Sequence, residues 1–119
     1  MGDDDDVALF QRTIAEQAPE VRVRSHQFRG AVEALKVLDQ IIAVVSNIGG
    51  ALALVAAIRA FLQQRPRYEI DVSYIDATGG PRSARYDSAT IQDLSDLLKA
   101  HAPMYDEGIF VRLLAKPPV

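Results

Sequence analysis

The run IIAVVSNIGGALALVAAI, residues 41–58, contains no charged side chain, and its interpretation decides the fold of this chain. It is long enough to cross a bilayer, because a hydrocarbon core of about 30 Å needs roughly 20 apolar residues. However, Ser46, Asn47, Gly49 and Gly50 interrupt the run in the middle. Polar amides are costly inside a membrane, and a glycine pair is typical of a helix end. The run therefore favours two helices that meet at a corner over a single span.

The segments on either side of this corner predict a helix pair. Residues 31–48 carry apolar side chains at spacings of three and four, with charged residues on the opposite face, as in an amphipathic helix. Residues 49–62 are apolar almost all round, which indicates a helix buried on several sides. Two alternatives stay open. One is a membrane-inserting segment over residues 41–62, and the other is an oligomer interface that uses small residues four apart (Gly49, Ala53, Ala57).

The rest of the chain predicts a sheet against this helix pair. Residues 7–17 have a mild helical pattern, and Asp87 or Ser88 can cap a helix that follows. We expect one α+β domain over residues 7–116, after an acidic disordered tail at residues 1–6. A central hydrophobic helix pair would pack on a small mixed sheet of about four strands, with the capped helix between the last two strands. Alternating polar and apolar residues predict these strands near 21–26, 68–76, 82–87 and 108–115.

Composition narrows the classes of function. The chain has 119 residues, and the aspartates at positions 3–6 supply more than the whole of its formal net charge of −3. This balance does not resemble the basic surface of a nucleic-acid-binding protein. The absence of cysteine excludes disulfides and thiol chemistry. The acidic start does not resemble a signal peptide, so we expect a cytoplasmic location.

No group of residues predicts a catalytic, cofactor or metal site, so we expect a protein that is not an enzyme and has no cofactor. The histidines, His26 and His101, have no partner at a metal-ligand spacing. Ser25 precedes His26, but neighbours in a strand face opposite sides and cannot act as nucleophile and base. The glycine pair after Asn47 could bind an anion, but it lacks the Lys-Ser/Thr of a phosphate-binding loop. A helix corner at Asn47, Gly49 and Gly50 is the plainer interpretation.

Four arginines are candidates for a protein-binding surface on the outer side of the sheet: Arg22, Arg24, Arg82 and Arg85. Glu69 and Asp71 on the neighbouring predicted strand offer another explanation, because cross-strand ion pairs would neutralise such a patch. Both interpretations stay open at this point. Partners would be other proteins, or a second copy of the chain, rather than nucleic acid.

Residues 31–98 also have a recognisable order. Gly49 to Leu52 begin a hydrophobic helix that ends near Arg65 and Arg67, and a glycine-containing hairpin then leads to the helix ATIQDLSDLL at 89–98. This order resembles the effector-associated constant component family, which comprises small domains encoded beside effectors in bacterial conflict systems. The resemblance implies a non-catalytic accessory module that works with a separately encoded protease, nucleotide-binding protein or other effector.

Overall fold

The described part of the chain folds as three helices on one face of an antiparallel sheet. The computed structural model describes the backbone of residues 3–25, 31–32 and 35–115, and the side chains of residues 5–24 and 38–115. The elements, in chain order, are α1 (Asp3–Gln17), β1 (Arg22–Ser25), β2 (Ala31–Val32), β3 (Leu35–Val44), α2 (Ile48–Gln64), β4 (Tyr68–Ile75), β5 (Pro81–Tyr86), α3 (Gln92–Ala100) and β6 (Ile109–Ala115).

The sheet has the strand order β1-β3-β6-β4-β5, and the short β2 pairs with the start of β3. All of these pairings are antiparallel, whereas the sequence predicted a mixed sheet of about four strands. The predicted α+β class and the helix between the last two strands are confirmed. The four predicted strands correspond closely to β1, β4, β5 and β6.

The helix predicted over residues 31–48 is wrong, because residues 35–44 form the strand β3. Its β-branched residues favour a strand. When both faces of a strand carry apolar residues, some of these residues are also three and four positions apart, which is the spacing expected of a helix. Ile41 and Ala43 are buried on the face toward the helices, while Ile42 and Val44 are half-buried on the other face. The charge-free run at 41–58 is therefore a strand followed by a helix.

A helix pair is present, but α2 pairs with α1 rather than with a helix over residues 31–48. The Phe10 ring meets the edge of the Phe61 ring, with centroids 5.2 Å apart. Helix α1 begins at Asp3, so the predicted disordered tail does not hold for residues 3–6. Acidic residues stabilise the first turn of a helix, whose free N–H groups carry partial positive charge.

The core lies between the helices and the face of the sheet that they cover, which we call the inner face. One cross-strand row on this face joins Ile41, Val111 and Val72 across β3, β6 and β4. Asp39 belongs to the same face and accepts a hydrogen bond from Gln11 of α1 at 2.9 Å. Large fully buried side chains from the helices fill the space above the sheet, among them Phe10, Ile14, Leu54, Ile58, Phe61, Leu62, Leu94 and Leu98.

Helix α2 has clear start and stop signals. The side chain of Asn47 accepts a hydrogen bond from the Gly50 amide at 2.9 Å and so caps the N-terminus. The helix ends at Gln64, two residues before Pro66, which cannot continue it. Its 17 residues span about 26 Å. Within the described part of the chain, no helix is both long and apolar enough to cross a bilayer.

Candidate partner-binding surface

The sheet has a second face, which we call the outer face, and no helix of the described chain lies over it. A cross-strand row runs over all five main strands on this face, from Arg24 through Ile42, Phe110 and Ser73 to Ser83. Ile42 and Phe110 stay half-buried by their neighbours in the sheet. The middle of this row is thus apolar, with an arginine at one end and serine hydroxyls at the other.

A second row on the outer face is polar and internally bonded. Arg112 of the central strand donates from Nε to Gln40 Oε1 at 2.9 Å and from Nη1 to Asp71 Oδ2 at 3.1 Å. Its guanidinium therefore links three adjacent strands. Arg85 lies opposite Asp71 at the next strand along. Asp71 is thus paired across the strands as the sequence suggested, but the ion pair described is with Arg112, which the sequence prediction did not include.

The four arginines predicted as one surface are not brought together. Arg22 and Arg24 lie on β1 and Arg85 lies on β5, and these are opposite edges of the sheet, separated by about 19 Å. Arg82 is in register with the buried Tyr74 and therefore projects toward the inner face. Only Arg22 and Arg24 form a neighbouring pair. Neither makes an ion pair with any residue in the described part of the chain.

Arg82 instead belongs to a cluster that closes the β4–β5 hairpin. Its Nε donates to Asp76 Oδ2 at 2.9 Å, and its Nη2 lies 3.1 Å from His101 Nδ1. Asp76 Oδ1 accepts hydrogen bonds from the Thr78 amide and hydroxyl and from the Gly80 amide. The Thr78 hydroxyl, followed by Arg82 and the Gly80 amide, holds the pKa of Asp76 far below its ordinary range. The cluster fixes the turn and ties it to the end of α3.

A second buried charge cluster was missed by the sequence analysis. Asp6, only 6% exposed, accepts hydrogen bonds from Arg65 Nε at 2.8 Å, from Arg67 Nη2 and from the Tyr68 hydroxyl. The Tyr68 hydroxyl, then Arg65, lower the pKa of Asp6 to about 2, although its burial opposes this. Burial, and the hydrogen bond to Asp6, raise the pKa of Tyr68 to about 12. The cluster joins the start of α1 to the connection between α2 and β4.

The sequence contains a signal for this cluster. Asp6, Phe10 and Ile14 are spaced four apart, so a helix that begins within the acidic run places Asp6 on the same buried face as the two apolar residues. The prediction of a disordered tail over residues 1–6 left Asp6 outside the helix, so its place on the buried face was not predicted.

The predicted helix corner is a strand-to-helix junction. Asn47 caps the start of α2 rather than ending a preceding helix, and Gly49 and Gly50 form the first turn. A Cβ at Gly49 would lie 3.1 Å from Asn47 Oδ1, so the small residue leaves room for the cap. The sequence Asn-x-Gly-Gly therefore marks the start of a helix here, whereas the sequence analysis took it as the end of one.

The remaining candidates for chemistry are dispersed. His26 lies outside the described residues, and His101 ends α3 and faces Arg82. Asp87 does not cap α3 directly. It accepts from the amides of Ala89 and Thr90 in the turn that precedes the helix. Over the described ranges there is no group of three His, Cys, Asp or Glu residues placed to hold a metal ion.

Comparison of the chain with protein-family models, with curated proteins and with solved structures gives no match. The resemblance to effector-associated constant components therefore depends on the residues quoted for it. In the structure, the element before Gly49 is β3 rather than the helix that the resemblance assumed. The hydrophobic helix, the hairpin and the final helix of residues 49–98 are present in the expected order.

Proposed function

We propose that this chain is a non-catalytic accessory module that binds a protein partner through the outer face of its sheet. The observation that carries the proposal is that the helices cover only one of the two faces of the sheet among the described residues. Three helices cover the inner face, whereas the outer face keeps Ile42, Val44 and Phe110 half-buried with no described helix above them. Exposed apolar surface rimmed by polar groups is characteristic of interaction sites.

The charges on the outer face indicate the kind of partner. Arg22 and Arg24 lie side by side at the β1 edge, beside Val44 and Ile42 in the pairing register. Neither guanidinium has a carboxylate partner among the described residues, while Arg112 in the centre is bonded on both sides. An acidic segment with an apolar residue next to it complements this arrangement, because arginine binds carboxylates with two parallel hydrogen bonds.

The partner class follows from the sequence resemblance. An accessory module of a bacterial conflict system works in the cytoplasm with a separately encoded effector, such as a protease or a nucleotide-binding protein. A second copy of the chain is a further candidate occupant of the outer face.

The test compares the wild-type protein with the double variant Arg22→Glu/Arg24→Glu. The matched control is Arg12→Glu/Lys99→Glu, which makes the same change of charge at exposed positions on the helical layer. Each immobilised protein is incubated with lysate of the source cells, and the bound proteins are identified by mass spectrometry. We expect a defined set of proteins bound by the wild type and the control, and at least a tenfold loss in the outer-face variant.

Two results would overturn the proposal. Equal recovery of bound proteins by the outer-face variant and the wild type would exclude this surface. Sedimentation of the wild-type protein with lipid vesicles, combined with no specific protein recovered, would favour the membrane-inserting alternative over residues 41–62. Light scattering on the purified chain separates binding of a second copy from binding of a different protein.

A further inference from the structure

A cavity of about 450 Å³ opens on the outer face, at the end farthest from β1. Its floor is formed by β4, β5 and β6, and its walls include Ile75, Pro81 and Phe110. Ile75, the last residue of β4, is 38% exposed and offers apolar surface to the cavity. The loop before β6 contributes Glu107 and Gly108 to the rim. The cavity is therefore a mostly apolar slot with a carboxylate at its mouth.

The slot has an acidic side chain, Glu107, at its rim. Glu107 is exposed and makes no ion pair with any residue in the part of the chain that the structure describes. Arg82 contributes to the lining, but its side chain projects toward the inner face, where the guanidinium is bonded to Asp76 and lies next to His101. Two outer-face arginines lie in the cross-strand row next to the slot, where Arg112 is bonded to Asp71 and Arg85 lies opposite the same carboxylate. Asp106, exposed beside Glu107, adds to the negative potential.

Gly108 shapes the slot where the loop enters β6. Its φ of +80° is in the left-handed region, and a Cβ there would lie 2.8 Å from Ile42 Cγ2. Glycine therefore allows the loop to turn closely over the outer face, which brings the neighbouring Glu107 to the rim rather than away from the sheet.

We propose that this slot binds a basic side chain, arginine or lysine, of the same protein partner that docks on the outer face. Both side chains have an aliphatic stem that can pack on Ile75 and Pro81 and a cationic end that can reach Glu107. The Phe110 ring offers a face for a cation–π contact with the guanidinium or ammonium group. The inference rests on the proposed function. It adds a second contact site, the slot, which would bind a basic side chain, to the first site at Arg22 and Arg24, which would bind an acidic one.

The distance between these two contact sites sets the spacing of the binding residues in the partner. Arg24 at the β1 edge and the slot on β4 lie in the same cross-strand row, three strand spacings or about 14 Å apart. Extended chain covers this distance in roughly four residues. The partner segment would thus carry an acidic residue, an apolar residue over Ile42 and Phe110, and a basic residue about four positions from the acidic one.

The experiment uses small probes, so that it does not depend on the identity of the partner. N-acetyl-arginine methylamide is titrated into the full chain, and backbone amide shifts are followed by NMR. N-acetyl-citrulline methylamide has nearly the same shape without the charge and is the matched control. The variant Glu107→Gln removes the carboxylate, and Asp106→Asn makes a similar change outside the lining.

We expect the arginine probe to shift the amides of Ser73, Ser83, Gly108 and Phe110. We expect it to bind about two- to tenfold more tightly than the citrulline probe, the range for one exposed ion pair with a cation–π contact. Glu107→Gln should abolish this preference, whereas Asp106→Asn should retain most of it. Equal binding of the two probes, a preference that survives in Glu107→Gln, or shifts confined to other surfaces would overturn the assignment.

The result also separates the two proposals. Arg22→Glu/Arg24→Glu should leave the binding of the arginine probe unchanged, because the charges lie at the other end of the row. If the probe fails to bind but that variant still loses its captured protein, only the occupant of the slot is wrong. If the probe binds as expected and capture is unaffected by the variant, the slot stands and the docking surface is wrong.

Discussion

Replacing Asp6 by asparagine should destabilise the protein at neutral pH and much less in acid. A pKa lowered from 3.8 to about 2 corresponds to roughly 2.4 kcal/mol of added stability when Asp6 is ionised. The side chains of Arg65 and Arg67 are 42% and 62% exposed, so water screens part of this interaction. We therefore expect Asp6→Asn to lower the free energy of unfolding by about 1–2 kcal/mol at pH 7.

The sign of the pH dependence follows from the lowered pKa. Ionised Asp6 stabilises the folded state fully above the unfolded pKa of about 4, and the contribution is lost as the pH falls through the folded pKa of about 2. At pH 3 roughly half of the difference between the variant and the wild type should remain. Near pH 2 most of it should be gone, since the carboxyl is then about half protonated in the folded protein and almost fully protonated in the unfolded chain.

Urea denaturation of both proteins at pH 7, 5, 4 and 3 provides the measurement, with the midpoints and slopes compared at each pH. Asp96→Asn, the same change at an exposed position in α3, is the control and should alter stability by less than about 0.5 kcal/mol. Equal stability of Asp6→Asn and the wild type at pH 7 would refute the reasoning. A deficit that stays constant from pH 7 to pH 3 would show that lost packing, rather than lost charge, is responsible.

Further predictions concern the strands and turns. Ile41→Ala should cost about 2–4 kcal/mol and Ile42→Ala under about 1.5 kcal/mol, because they face opposite sides of β3; similar urea midpoints would contradict the strand. Gly108→Ala should lower the melting temperature more than Gly79→Ala, since both have positive φ but only Gly108 has a neighbour at 2.8 Å; the reverse order in calorimetry would contradict this. Asp76→Asn should shift the urea midpoint further than Asp96→Asn at pH 7, because Asp76 accepts four hydrogen bonds.

The strands with one wet face were predictable from the sequence. Tyr68, Ile70, Val72 and Tyr74 alternate with polar residues, and β4 spans Tyr68–Ile75 with burial that alternates in the same way. The strand β3 was not predictable in this way, because Ile42 and Val44 on its outer side are apolar like Ile41 and Ala43 on its inner side, so this part of the strand has no period of two. Its apolar residues then also match the spacing of a helix.

The candidate site was predictable only in part. The polar side of the sheet was identified, but the sequence contains nothing that sets the order of strands, and that order decides which arginines are neighbours. Arg22 and Arg24 are two residues apart on one strand, so they share a face in any topology. Arg82 and Arg85 are three apart and must face opposite sides. Their spacing alone therefore excludes a single surface that contains both arginines.

The last strand of the described residues, β6, occupies the middle of the sheet. It pairs with residues 36–43 on one side and with residues 68–74 on the other. During synthesis, β1–β3 and β4–β5 therefore leave the ribosome as two half-sheets, each with an edge of unpaired backbone N–H and C=O groups, and they cannot join through β6 until it emerges. Contacts this distant in the chain slow folding, and open edges promote aggregation. The sheet thus becomes continuous only after β6 has paired with both half-sheets.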